Sequence, residues 1–489
     1  MPSDQRRQRH RSRPAANRQS GRHQGNVQRR KHTPHAGAMI DFGVLEHSWQ
    51  RWLDANQETP QPLDRWLKRQ QQLPVQLGSL QQGNQPSATK LSAAQRWQLN
   101  AALIKANRFQ QLAAALEAQF RQEEEIDWLH WDQQWQPTEL NRLNAQALWY
   151  WIGLRAGGDW MRSRHQLRDT TYRERLYAMV QQQALEQPLS PLWCLWHGVR
   201  PQWLALLKQR ANQSGWSDKQ LQSFIKKQCD FPPLWLRLSP ETDIDALAEA
   251  LQAQGIDAQL KHINGEQHLA AYGGQAVQTA TEYKAGAFEI QDLASQQIAA
   301  AVDAKAGDKV WDACAGAGGK SLAIAARMSG RGSVTATDLH EFKLNELKRR
   351  AKRAQIQNIR TFSWDGQQPL RLPAEIRKQQ GFDWVLVDAP CTSAGTWRRN
   401  PDARWRFNNS DTRQLQQLQQ QLLQHASDAV RPGGHLVYAT CSWQVAENEH
   451  QVEQFLSQHP QFELLEQCML GAPDEDADCM FYAKLQRQS

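Results

Sequence analysis

From residue 284 onward the sequence predicts a doubly wound α/β fold, a parallel sheet with helices on both faces. Three observations predict it. Short apolar runs near 309–312, 333–337, 359–362, 382–387 and 435–439 read as buried strands. Helical periodicities near 319–328, 341–355, 411–430 and 446–457 alternate with them. Carboxylates, cysteines and a glycine-rich turn stand just past the strand ends, where open α/β sheets bind ligands. Ahead of this domain (284–489) the sequence predicts a basic arm at 1–38, a helical region at 39–231 and a small α/β module at 232–283.

The arm holds ten basic residues against one acid, Asp4, so it carries +9 of a total of +8 and the remaining chain −1. It is too polar to fold and suits polyanion binding by counterion release. A dispensable extension ahead of Met39 is the other reading. In the region 39–231, Trp49, Trp52, Leu63, Trp66 and Leu67, then Leu112, Leu116 and Phe120, recur at helical spacings. Fourteen of the 21 tryptophans fall before residue 232, and amphipathic helices place such rings in a core more often than on a base-stacking surface. Phe231-Pro-Pro233 marks a boundary. A strand over 234–238, a helix over about 243–254 and further short strands to residue 272 follow. In the last domain Ser410 is expected to cap a helix whose stripe is Leu415, Leu418, Leu422, Ala426 and Val430, with Pro432-Gly433-Gly434 stopping it. A final strand is expected at 480–485.

Hydrophobic content is 40%, and no apolar run is long enough for a membrane span. Seven cysteines, an odd number without a Cys-x-x-Cys pair, suggest neither a disulfide framework nor a zinc site. A reducing cytosol and a monomer are expected, with no metal.

Val310 to Ser321 reads as strand, turn and helix start. Its turn, Cys314-Ala315-Gly316-Ala317-Gly318-Gly319-Lys320, lets a ligand approach the backbone closely. A dinucleotide fingerprint fails because Ser321 stands where the third glycine belongs. A P-loop fits at Gly319-Lys320-Ser321 but has Cys314 in place of its first glycine. Asp312 would also repel a triphosphate. S-adenosylmethionine, with its amine and sulfonium, welcomes that acid. Asp338, 26 residues on, can accept from ribose hydroxyls, and Asp365 can face the adenine amine.

The strand at 382–387 delivers Asp388 and, after Pro390, Cys391; the strand at 435–439 delivers Thr440 and Cys441 to the same edge. Carbon 5 of a pyrimidine is a poor nucleophile. A thiolate added at carbon 6 makes the ring an enamine that attacks a methyl donor, and a second acid–base group helps the later elimination. Two cysteines at adjacent strand ends can divide those tasks, with Lys320 near enough to lower a thiolate pKa.

Asp388-Ala-Pro-Cys-Thr392, Arg398-Arg-Asn-Pro-Asp402 with Arg404-Trp-Arg406, and Thr440-Cys-Ser442 with Glu447-Asn-Glu449 closely resemble the RNA cytosine-5 methyltransferases of the RsmB/Nop/Sun family, the bacterial rRNA members most of all. Phe288 to Ser295 is similar to that family's entry motif, and the likeness runs from about 232 to 487. It implies a Rossmann-like class I S-adenosylmethionine methyltransferase domain preceded by a small α/β, RRM-like RNA-binding module. It implies Cys441 as nucleophile, Cys391 assisting release, and Asp388 orienting cytosine with Lys320 nearby. The cofactor would contact Cys314, Ala315, Gly316, Ala317, Gly318, Gly319, Lys320, Asp338, Asp365 and Asp388. The RNA would be rRNA, or tRNA as the alternative, with Arg398, Arg399, Arg404 and Arg406 as candidates for flanking phosphates or as a solvated basic loop. A P-loop ATPase and a non-catalytic RNA-binding factor are the competing readings. The chain departs from the family at Gly316-Ala317, at Cys479-Met480 and across 39–231.

Overall fold

Apolar runs buried on both faces become the inner strands of a seven-stranded sheet. The computed structural model describes residues 40–58, 61–70, 91–122, 126–136, 140, 143–158, 167–272, 277–406 and 409–489. The basic arm 1–38 lies outside them. Eleven strands occur among the described residues: β1 (Leu234–Leu238), β2 (Asp257–Ile263), β3 (Glu266–Tyr272), β4 (Phe288–Ile290), β5 (Lys309–Asp312), β6 (Ser333–Asp338), β7 (Ile359–Ser363), β8 (Phe382–Asp388), β9 (Val430–Thr440), β10 (Phe462–Leu470) and β11 (Met480–Arg487). The large sheet has the order β10-β11-β9-β8-β5-β6-β7. Neighbours from β9 through β8, β5 and β6 to β7 are parallel. The strand β11 inserts antiparallel between β9 and β10. The chain runs outward from β5 to β7, then crosses back to β8. Strand order therefore reverses between β5 and β8, the switch point at whose carboxyl ends open α/β sheets bind ligands.

Val310, Trp311, Val385, Leu386 and Val387 are all fully buried, as inner parallel strands require. The helices Gly319–Arg327 and Glu341–Arg353 follow β5 and β6 as expected. Two expectations fail. The helix after β8 runs Asn409–Ser427, so Ser410 lies in its first turn and Val430 already belongs to β9. Pro432-Gly433-Gly434 does not stop the helix but sits in the register shift of β9 against β8, where Phe382 faces Val430 and Trp384 faces His435. The strand β10 was not foreseen. It pairs only with β11, carries a bulge at Leu464/Glu466, and exposes much of its length, so its apolar alternation is weak.

The small module is an antiparallel sheet of order β2-β3-β1-β4. The helix Ile244–Ala253 packs Leu247 and Leu251 on it, capped by Asp243, whose carboxylate accepts from the Ala246 N–H at 2.8 Å. Its fourth strand, β4, comes from beyond residue 283; three residues are too few to signal a strand in sequence.

Helices fill the described part of 40–231, and nine of the thirteen tryptophans described there are at most 4% exposed, so these rings are core. The helical region also shares a core with the large sheet's loops. Trp203 meets Trp397 at 5.3 Å and Trp443 at 6.4 Å, edge to face. The Arg210 guanidinium, fully buried, donates to Glu449 at 2.7 and 2.6 Å and to the Trp443 carbonyl at 2.6 Å. Residues 39–489 accordingly form one compact unit.

Candidate active site

The switch point gathers most of the residues singled out in the sequence. Asp388 ends β8, and Cys391 sits on the loop beyond it. Thr440 ends β9, and Cys441 follows. The two sulfurs lie 3.4 Å apart. Cys391 is buried and Cys441 half-buried, and all seven cysteines are unbonded thiols. The pair is electrostatically unequal. The Cys391 thiol hydrogen bond, and behind it the Ser393 hydroxyl 3.4 Å away, hold Cys441 below the ordinary thiol range against burial and the Asp388 charge. Cys391 is pushed well above that range, first by its bond to Cys441 and then by burial. Cys441 is thus the more acidic thiol of the pair and Cys391 the less acidic one.

Buried polar groups fix these loops. Glu447, fully buried, accepts from the Thr392 N–H at 2.9 Å and the Thr392 hydroxyl at 2.6 Å, and from Gln419 at 3.1 Å. Asn448 accepts from the Thr440 hydroxyl at 2.5 Å and donates to the Ser442 carbonyl at 2.9 Å. Glu449 holds Arg210, as above. The motif Glu447-Asn448-Glu449 therefore clamps the Cys391 loop, the Cys441 loop and the helical region in turn. Sequence reasoning noted the motif but assigned it no role. It also missed Ser393, a non-glycine residue at φ 55°, and Gly395. Gly395 donates its N–H to the Cys441 carbonyl at 3.0 Å and accepts from the Cys479 N–H at 3.1 Å. A β-carbon there would stand 1.6 Å from the Cys479 carbonyl oxygen.

Lys320 reaches across the switch point to Asp388 at 2.7 Å. Burial disfavours its charge, but Asp388 outweighs that and raises its pKa. A P-loop would aim this lysine at phosphate; here it is committed to a carboxylate, with Asp312 buried behind it. Asp312 accepts from the Ser321 hydroxyl at 2.5 Å, while its Oδ1 is buried without a partner among the described residues. Burial lifts this carboxyl to about 7. In the turn, Gly318 takes φ +83° because a β-carbon would strike Leu347, and Gly316 takes φ +54° over open space. Cys314 and Ala315 begin the turn, Ala315 bonding the Thr337 carbonyl at 2.8 Å, and the Ala317 carbonyl accepts from Arg350 at 2.8 Å. Gly319 starts the helix that carries Lys320. Asp338 accepts from the Gly316 N–H at 3.0 Å and the His340 N–H at 2.8 Å, beside Lys343 at 3.4 Å. Asp365 is exposed and accepts from its own loop, at the Gln367 N–H, 3.0 Å.

The arginine loop is neither solvated nor a uniform phosphate cradle. Arg398 is buried and donates to Asp476 at 2.8 Å. Arg404 is buried, bonds the Gly198 carbonyl and donates to the Trp397 carbonyl at 3.0 Å. Both brace the protein, because a long apolar stem can lie in a core when its head meets carbonyls. Arg399 alone of these three keeps a solvent face. The side chain of Arg406 lies outside the described residues.

Residues 299–486 match the family of 16S rRNA methyltransferases RsmB/F. Over those residues the chain is similar to methyltransferases of the RsmB/Nop/Sun type. Curated relatives match over a longer stretch. Ribosomal RNA small subunit methyltransferase B of Yersinia pestis bv. Antiqua (strain Angola) is 30% identical over 302 residues, covering 59% of this chain and 66% of that protein. The protein of the same name from Yersinia pseudotuberculosis serotype O:1b (strain IP 31758) is 31% identical over 307 residues, with the same coverage. The chain thus spans just under two thirds of these relatives' length. The crystal structure of PH0851 superposes with a TM-score of 0.60 at 22% identity, covering 82% of this chain and 92% of that one, and shares its fold.

S-adenosylmethionine is the cofactor of the RsmB/F-type domain. The residues present fit it. The unpartnered Asp312 Oδ1 can take an N–H donor, and Asp338 ends β6, a strand end from which a carboxylate can accept from ribose hydroxyls.

Proposed function

We propose that this chain methylates carbon 5 of cytosine in RNA, rRNA by preference, through a covalent bond from Cys441 to carbon 6. The observation that carries it is the 3.4 Å approach of two thiols with opposed pKa shifts at the switch point of the domain. The base must be flipped or presented in a loop to reach that mouth. The Cys441 thiolate adds to carbon 6, which moves an electron pair onto carbon 5. Bound S-adenosylmethionine supplies the electrophilic methyl group for that carbon. A base, solvent water at the mouth of the site, then takes the carbon-5 proton; that electron pair re-forms the carbon 5–carbon 6 double bond and the sulfur–carbon 6 bond breaks, returning the thiolate. The Cys391 thiol assists release, since its hydrogen bond stabilises the departing Cys441 thiolate. Asp388, held by Lys320, orients the ring. The module β1–β4 and the basic arm are assigned to RNA binding, and the free thiols suit a reducing cytosol.

The test is tritium transfer from methyl-labelled S-adenosylmethionine to rRNA and tRNA, with bisulfite sequencing to locate the product. Cys441→Ala is expected to abolish transfer, and Cys391→Ala to accumulate a covalent enzyme–RNA species on denaturing gels. Transfer by Cys441→Ala at the wild-type rate would overturn the assignment. Preferred labelling of tRNA would move the substrate but leave the chemistry.

A further inference from the structure

Of Arg398, Arg399 and Arg404, one guanidinium keeps a solvent face. Arg398 and Arg404 have side chains that are almost wholly buried, with terminal nitrogens on Asp476 and on backbone carbonyls and, like Arg399, an Nε without a partner among the described residues; what sets Arg399 apart is its solvent face. The Arg399 side chain is 33% exposed, and one nitrogen pairs with the fully buried Asp478. Its Nε is buried without a partner among the described residues, as is Asp478 Oδ1. A short chain of bonds joins this pair to the nucleophile. Gly395 holds the Cys441 carbonyl at 3.0 Å, Cys479 holds the Gly395 carbonyl at 3.1 Å, and Asp478 immediately precedes Cys479. The Asp478 N–H in turn donates to Asp292 at 3.2 Å, so the anchor is itself fixed.

Resting on the cytosine chemistry assigned above, we propose that Arg399, aligned by Asp478, binds an RNA phosphate next to the target cytosine. A planar guanidinium with a solvent face matches a phosphate better than a lysine would. The neighbouring acids do not cancel it. Burial lifts the Asp478 carboxyl and so disfavours its charged form, whereas the Arg399 guanidinium, against its own burial, is raised above its ordinary value by Asp478 and Asp292. Asp292 is occupied in capping the Ala294 N–H at 3.0 Å and in holding Asp478. The charge on Cys441 lies within electrostatic reach of Arg399, behind burial and the two aspartates in weight.

The experiment measures binding of the full chain to a short fluorescein-labelled single-stranded RNA containing one cytosine, by anisotropy across a salt series, alongside KM and kcat for transfer. Arg399→Gln is expected to weaken binding about tenfold at low salt and to flatten the log–log salt slope by about 0.7, one phosphate contact to a single strand. KM should rise more than kcat falls. Arg399→Lys keeps the charge and the ion pair; its slope should stay at the wild-type value while affinity drops several-fold. Asp478→Asn should weaken binding with the slope retained. If Arg399→Gln or Arg399→Lys matches the wild type in RNA affinity, KM and slope, Arg399 is only a structural ion pair and the proposal fails. Should Arg399→Gln not fold, the lysine variant decides. A wild-type chain that binds RNA but transfers no methyl group would sink the cytosine chemistry and leave the binding test standing.

Discussion

Gly395→Ala adds one methyl group at the point where three segments of the site meet. The new β-carbon would lie 1.6 Å from the Cys479 carbonyl oxygen, 2.7 Å from its carbon and 3.1 Å from the Cys441 carbonyl oxygen. Real β-carbons essentially never approach within 3.0 Å, so Gly395 and the start of β11 must separate by about 1.4 Å. Both partners are backbone, so no side chain can simply swing away. The Gly395–Cys441 and Cys479–Gly395 hydrogen bonds, 3.0 and 3.1 Å, would stretch or break. Cys441 would then shift relative to Cys391, and a misplacement of about 1 Å at reacting atoms costs on the order of a hundredfold in rate. The expected outcome is a fall in kcat for methyl transfer of about a hundredfold or more, with S-adenosylmethionine affinity changed far less, since the turn at 314–320 is on a different loop. Tritium transfer under single turnover, with equilibrium dialysis of the cofactor, reads both. Wild-type kcat in Gly395→Ala would show that the packing around Cys441 is not as described.

Arg210→Ala removes the cation that pairs with buried Glu449 and the donor to the Trp443 carbonyl. An uncompensated buried carboxylate costs roughly 3–5 kcal/mol, which urea titration would detect, whereas Arg210→Met with Glu449→Leu should recover much of it. A single-variant loss below about 1 kcal/mol would contradict the burial of this pair. Cys441 titrates below 9.0 in the fold, so its thiolate contributes stability that is present above the unfolded thiol pKa and lost as pH falls through the folded one. Iodoacetamide alkylation of Cys441 should therefore show a midpoint below the ordinary thiol range. In Cys391→Ala, which lacks the main hydrogen bond to the thiolate, that midpoint should move up; an unchanged or lower midpoint would remove Cys391 as the cause.

Strand–helix alternation from residue 309 onward was legible because inner parallel strands are buried on both faces and so appear as unbroken apolar runs, such as Val385-Leu386-Val387. The edge strand β10 and the three-residue β4 were not, because each takes its stability from a neighbour rather than from its own pattern. Pro432-Gly433-Gly434 was misjudged for a related reason: the same residues that stop a helix also make a bulge, and only the pairing of β9 with β8 chooses between them. Arg398 and Arg404 looked like a basic loop until their carbonyl partners from distant segments were seen.

The sequence by itself determined the chemistry on offer: two thiols, carboxylates past successive strand ends, a glycine turn with its lysine, and the strand spacing that must bring them to one edge. Tertiary structure decided which thiol is the more acidic, which arginine faces outward and what clamps the two cysteine loops. Those outcomes depend on burial and on contacts between segments far apart in the chain, such as Glu447 with Thr392 and Arg399 with Asp478. No local pattern encodes them, because desolvation and hydrogen bonding act across space and not along the chain.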